Sequence, residues 1–187
     1  MNKLHIPPLD EQAAKTALEH QKILAKPPLA LGKLEPVAIQ IAAMTCNPAP
    51  RLKDKAVVLF AADHHIADHG LSLTSTDVTY IQTRNFLQGG GTINAFTRNA
   101  GARLSVVDVG VNYDFGDLPG LVKRKVMHGA SDFSRGPAMT REQALECLQV
   151  GIDMAREEKA RGLDIVAAGE MGIGNTTPSS AIVAVLT

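Results

Sequence analysis

The chain lacks paired cysteines, an excess of charge and any long hydrophobic run. Its 187 residues include two cysteines, Cys46 and Cys147, far apart and outside any CxxC spacing. That excludes a disulfide framework or a cysteine-rich metal site and leaves buried thiols as the expectation. Nineteen Lys and Arg offset nineteen Asp and Glu, so no net field attracts nucleic acid or an anionic membrane. The densest basic cluster is only Lys123, Arg124 and Lys125. The longest apolar runs, 56–62 and 181–186, fall far short of the roughly 18 residues that a membrane span needs. The polar start from Met1 to His5 leads into no signal-peptide core, and a cytoplasmic protein is expected. Internal repeats and low-complexity tracts are also missing. The balance that remains, 45% apolar and 20% charged, is that of a globular domain able to bury about 70% of its unfolded surface.

Pro27-Pro28 and the stretch 46–50 divide the first fifty residues into two helical pieces, over 10–26 and 31–44. Leu34, Val37, Ala38, Ile41 and Ala42 recur at helical spacing, so the second piece carries an apolar stripe that docks on something. From Lys55 the texture changes. The runs 56–61, 104–109 and 163–168 are short and apolar, as parallel strands covered on both faces require. Between them lie helical patterns over 77–98, broken by Gly89-Gly90-Gly91, and over 140–161. The second opens with Thr140 and Gln143 in capping-box spacing and shows Ala144, Leu145, Leu148, Ile152 and Ala155 on one face. Strands alternating with helices predict an α/β fold with right-handed crossovers and ligands outside the carboxyl ends of a parallel sheet.

Three segments at those ends could carry chemistry. After the first strand, 62–70 holds His64, His65 and His69 with Asp63 and Asp68. Imidazole and carboxylate ligate zinc-like metals, but in a loop before Gly70 the set reads better as loop-bracing or substrate-contacting, with Asp63 and His64 foremost. The glycine cluster 89–91 would cost a helix about 1 kcal/mol per residue relative to Ala. It marks either a helix break or a close backbone approach to a ligand at Gly90. Asp108, ending the second strand, could meet a ribose hydroxyl or cap a loop. The third segment, 167–178, leaves a strand through Gly169, Gly172 and Gly174 and enters an apolar stretch, with Thr177 as expected N-cap and Pro178 at the first helical position. Backbone N–H groups and a helix dipole aimed at one volume suit a phosphate, although the spacing is neither GxGxxG nor Walker A. Glu170 sits at the lip of that loop, where a carboxylate could orient a ribose or handle a proton.

These residues resemble a known family. The strings Leu31-Gly32-Lys33-Leu34-Glu35, Asp63-His64, Asn85-Phe86-Leu87 with the glycines behind it, 106–111, 135–140 and Gly169-Glu170-Met171-Gly172-Ile173-Gly174-Asn175-Thr176-Thr177 are similar to nicotinate-nucleotide–dimethylbenzimidazole phosphoribosyltransferases. The resemblance implies transfer of the phosphoribosyl group of nicotinate mononucleotide to a nitrogen of 5,6-dimethylbenzimidazole, making α-ribazole phosphate for cobalamin. It also implies a Rossmann-like parallel sheet with flanking helices, a small helical domain to which 1–50 contributes, an incomplete nucleotide-binding domain over 51–187, a homodimer, and neither cofactor nor metal. Substrate contacts are implied for Gly172, Gly174, Asn175, Thr176, Asp63, His64, Ser72, Gly90 and Asp108, with Glu170 as an auxiliary carboxylate. The expected mechanism is an inverting displacement at the anomeric carbon.

The chain departs from that family in two respects. Family chains are nearly twice as long, and their principal catalytic glutamate belongs to a glycine-rich segment of the C-terminal half. A truncated chain, inactive alone or completed by a second polypeptide, is therefore expected, and the uncapped run 181–186 agrees. Locally, His65-Ile66 and Thr74-Ser75 stand where the family has other residues, which predicts a more polar acceptor base. The rival readings are a non-catalytic nucleotide-binding paralogue and a metal-binding module on His64, His65 and His69.

Overall fold

The computed structural model describes residues 5–187; Met1 to Leu4, the polar start and the first residues of the predicted helical segment, lie outside the described residues. By internal contacts the chain forms two units, Met1–Leu52 and Lys53–Thr187.

In the first unit, α1 (Glu11–Ile23) starts at Asp10, whose carboxylate accepts the Ala13 N–H at 2.9 Å. It ends three residues before the predicted Lys26, because Leu24 turns extended ahead of Pro27-Pro28. Helix α2 (Leu34–Thr45) closes on Cys46 in the left-handed region, φ 51°. That cap exposes Cys46 and Cys147 is only half-buried, so neither thiol is the core residue expected. The two helices meet through small residues: Ala13 and Ala17 are buried on α1, Ala42 and Ala43 on α2. The predicted docking stripe is corrected here, since Leu34 and Val37 are exposed and Glu35 is buried instead. Lys26 pairs with Glu35 at 2.6 Å. The hydrogen bond from that ammonium holds the Glu35 carboxyl below its usual value against the opposing effect of burial.

The second unit is a four-stranded sheet in the order β3-β2-β1-β4, every pair parallel. Strands β1 (Lys55–Ala62) and β2 (Ala102–Gly110) occupy its centre. The apolar run of β1 is unbroken because both faces are covered, whereas β2 carries Ser105 and Asp108 among its apolar residues. On one face Leu59, Ala61, Val106 and Val111 pack with Phe86, Leu87 and Ile93 of the helices α3 (Val78–Leu87) and α4 (Thr92–Ala100). On the other, Val58 and Val107 pack with Val150 and Met154 of α5 (Arg141–Ala160). The helices fall on opposite faces because the chain moves one way along the sheet after β1 and back past β1 to reach β4, with one crossover hand.

The capping box of Thr140 and Gln143 forms as expected, but the buried stripe of α5 is Val150, Met154 and Glu158. Leu145 and Leu148 of the predicted face are exposed. Strand β3 (Leu121–Lys123), three residues long, carried too little pattern to be seen. Strand β4 runs over Ile165–Met171, two residues later than expected and three residues further. At the sheet edge it is not covered on both faces: Ile165 and Val166 are exposed. Helix α6 (Thr176–Leu186) has no buried residue. Among the described residues no helix is long and apolar enough to cross a membrane.

Candidate functional site

The sheet's carboxyl end is shaped by a register shift between Ala61 and Ala62, which pairs Ala62 with Gly110 and skips Val109. Asp63 follows, buried. Its Oδ2 accepts the Asn112 N–H at 2.7 Å, while Oδ1 is buried with no partner among the described residues. His64 faces the β4 end, its ring against Gly172. Burial lowers the His64 pKa, and the nearby Asp63 and Glu170 carboxylates partly oppose that. His65 takes the opposite direction: the hydrogen bond to Asp68, 3.1 Å from Nδ1, raises its pKa. Its Nε2 approaches the His128 carbonyl at 3.4 Å. His69 turns to Asp132 at 2.8 Å. Hydrogen bonds from Ser134 and His69 hold the Asp132 pKa at about 2. The three histidines thus diverge, and among the described residues no three His, Cys, Asp or Glu side chains converge as a metal site would. Asp63, His64, His65, Asp68 and Tyr80 line a cavity of about 190 Å³, and Tyr80 stacks on Tyr113 at 4.4 Å.

A second, larger cavity of about 540 Å³ lies between α3, the glycine cluster and the end of β4. Glu170, Gly90, Gly91, Thr74, Gln82 and Ile173 line it. Glu170 is an exposed strand residue paired with Phe60, not a loop residue as expected. The glycine cluster is a helix break. Gly89 has φ 82°, and a Cβ at Gly90 or Gly91 would collide with Asn85 or Phe86. Asn94, unremarked in the sequence, splices that break: it accepts the Gly91 N–H at 2.9 Å and donates to the Phe86 carbonyl at 2.8 Å. Ser72 braces the chain before α3, its Oγ accepting the Thr74 N–H at 3.2 Å.

The short connection from β4 to α6 borders the larger cavity, which Met171 and Ile173 line. Gly172 leaves no room for a Cβ, which would strike the Ala62 carbonyl. Gly174 has φ 80° and a Cβ there would lie 2.8 Å from that of Ala67. Both glycines are therefore required by internal packing, which the spacing alone did not reveal. The expected Thr177–Pro178 start of the helix is corrected: α6 begins at Thr176, with Asn175 in the cap position and making no side-chain cap. Asn175 and Thr177 give their N–H groups to the Gly172 and Gly174 carbonyls, both at 3.1 Å. Asp108 lies apart from this constellation. It is buried, accepts the Val111 N–H at 2.9 Å and pairs with Lys125 at 3.0 Å, so it caps its loop.

A family model described as Phosphoribosyltransferase matches residues 6–187. Nicotinate-nucleotide–dimethylbenzimidazole phosphoribosyltransferase of Geobacter sulfurreducens is 49% identical over 177 residues, 95% of this chain and 50% of its own length. The protein of the same name from Chloroflexus aggregans is 47% identical over 98% of this chain and 52% of its own. The crystal structure of the Thermus thermophilus nicotinate-nucleotide-dimethylbenzimidazole phosphoribosyltransferase superposes with a TM-score of 0.92 at 43% identity, covering 95% of this chain and 54% of that one. The chain spans about half the length of the curated relatives it matches.

Proposed function

The chain belongs to the nicotinate-nucleotide–dimethylbenzimidazole phosphoribosyltransferase family, and on that premise we propose that it carries the substrate-facing part of such an enzyme. The reaction moves the phosphoribosyl group of nicotinate mononucleotide onto 5,6-dimethylbenzimidazole. The bond from ribose C1 to the pyridine nitrogen breaks, nicotinate leaves with its electron pair, and an azole nitrogen bonds C1 from the opposite face. The azole N–H proton passes to a carboxylate. The observation that carries this reading is the cavity shared by Glu170, Gly90, Thr74 and Gln82 beside the β4–α6 connection. It offers one carboxylate next to an azole-sized space with mixed apolar and amide walls.

The N–H groups of Gly174 and Thr176, which have no intramolecular partner among the described residues, are the donors we assign to the 5′-phosphate, with the α6 dipole behind them. Asn175 serves the ribose, and His64 with Asp63 supports the loop from below. The strand order β3-β2-β1-β4 supports a Rossmann-like sheet. A cytoplasmic homodimer completes the reading, and exposed apolar side chains such as Ile182, Val185 and Leu186 support association.

Calorimetric titration of the chain with nicotinate mononucleotide and with 5,6-dimethylbenzimidazole tests the reading. Saturable binding of both is expected, with azole affinity weakened by Glu170→Gln while nucleotide affinity holds. A folded chain that binds neither ligand rejects it.

A further inference from the structure

We infer that Thr79 is a positioning residue that sets the β4–α6 connection from helix α3; the inference rests on the proposed reading of that connection as the nucleotide site. Helix α3 turns two polar side chains, Thr79 and Thr83, into the protein, and both are completely buried. A buried hydroxyl is costly unless it is paired. Thr83 resolves this locally, its Oγ1 donating to the Thr79 carbonyl at 2.7 Å. Thr79 resolves it across the fold: its Oγ1 accepts the Ile173 N–H at 3.1 Å, 94 positions along the chain.

Ile173 stands between the two glycines that packing requires, Gly172 against Ala62 and His64, and Gly174 against Ala67. Those contacts limit where the connection can go, but neither orients the Ile173 peptide. The Thr79 hydroxyl does. Without it that N–H is stranded, and the Gly172–Ile173 peptide is held only through its carbonyl, which accepts the Asn175 N–H at 3.1 Å, so the connection that carries the Gly174 and Thr176 N–H groups loosens. The same helix supplies Val78 and Gln82 to the wall of the larger cavity, which Ile173 also lines. One helix thus walls the acceptor space with one set of residues and holds the nucleotide connection with another.

The test compares wild type with Thr79→Val, which keeps the shape and removes the acceptor, and Thr79→Ser, which restores it. Amide hydrogen exchange by NMR should show the hydrogen-bonded amides of the connection, Ile173 and with it Asn175, exchanging about tenfold faster in the valine variant, a size set by one lost hydrogen bond. Amides of β1 should stay within about twofold, and serine should return the connection to wild-type rates. Affinity for nicotinate mononucleotide should fall at least about fivefold in the valine variant and recover with serine. Equal acceleration in β1 and in the connection would reduce Thr79 to a core residue and overturn the proposal, as would a folded valine variant with unchanged exchange and affinity. Thr79→Ala removes the same oxygen without adding a methyl, should valine disturb packing. A wild-type chain that binds no nicotinate mononucleotide counts against the proposed function, while the exchange comparison still decides what Thr79 does to the connection.

Discussion

The Glu158 carboxylate on α5 accepts a hydrogen bond from the Ser105 hydroxyl on β2 at 2.7 Å, and this pair anchors the helix to the sheet. Glu158 is 1% exposed. Arg103 approaches its Oε2 at 3.1 Å and Arg161 its Oε1 at 2.8 Å, so each carboxylate oxygen faces a cation. Burial, the largest influence, pushes the Glu158 pKa up. The bonds from Ser105 and Arg103 and the Arg161 charge outweigh it, and the net direction is down.

Replacing Glu158 with Ala should therefore destabilise the chain by about 2–4 kcal/mol, since it opens a buried gap and strands Ser105. Ser105→Ala should cost less, about 1–2 kcal/mol. A carboxyl whose folded pKa is depressed contributes stability above its unfolded value and loses it as pH falls through the folded one. The advantage of wild type over Glu158→Gln should accordingly shrink as pH drops below about 4. Urea unfolding of the three variants at neutral pH and at pH 3 measures all of this.

The two glycines of the β4–α6 connection should prove structural before they prove functional. Gly174→Ala places a side chain at φ 80° against Ala67, a strain of about 1–3 kcal/mol. Gly172→Ala should be worse, because the backbone carbonyl of Ala62 cannot yield as a side chain does. Pairing Gly174→Ala with Ala67→Gly should recover only the contact part of the loss. Thermal unfolding of the single and double variants checks the order. Wild-type stability in Gly172→Ala would show that the connection is not seated on β1.

His64 and His65 are neighbours with opposite pH responses. Burial lowers the His64 pKa, so the unfolded chain binds its proton more readily. The stability it contributes is present above the ordinary value of about 6.5 and is lost as pH falls through and below that point. His65, with its pKa raised by Asp68, contributes stability below about 6.5 that is lost as pH rises through the folded value. His64→Gln should thus flatten the decline of unfolding midpoint between pH 7 and 5, and His65→Gln should steepen it. Midpoints in urea across that range, compared with wild type, give the answer.

Much of the architecture was legible in the residues. Buried parallel strands announce themselves as short apolar runs, unbroken in β1 and interrupted by Ser105 and Asp108 in β2. The break between α3 and α4 was visible as a glycine cluster and the start of α5 as a capping box, because both are short-range effects of a few neighbouring residues. Specific strings such as Gly169 to Thr177 pointed to the family.

Tertiary contacts decided the rest. Leu145 and Leu148 have the spacing of a core stripe, yet the sheet meets α5 on Val150, Met154 and Glu158, because a polar core anchored on Ser105 sets the rotation of that helix. Periodicity gives a helix a face but not its partner. The same limit applies at the site. His65 could have faced a base or its own loop, and only the position of Asp68 and the His128 carbonyl turned it to the loops. Asp108 could have met a ribose, until Lys125 and Val111 occupied it. Residues that act through long-range bonds, Thr79 with Ile173 above all, leave no local pattern. By itself the sequence determined the order of elements, the places where helices start or break, and the family motifs. Only the folded chain decided which buried polar groups found partners, because those partners lie many residues away and are brought together by the sheet.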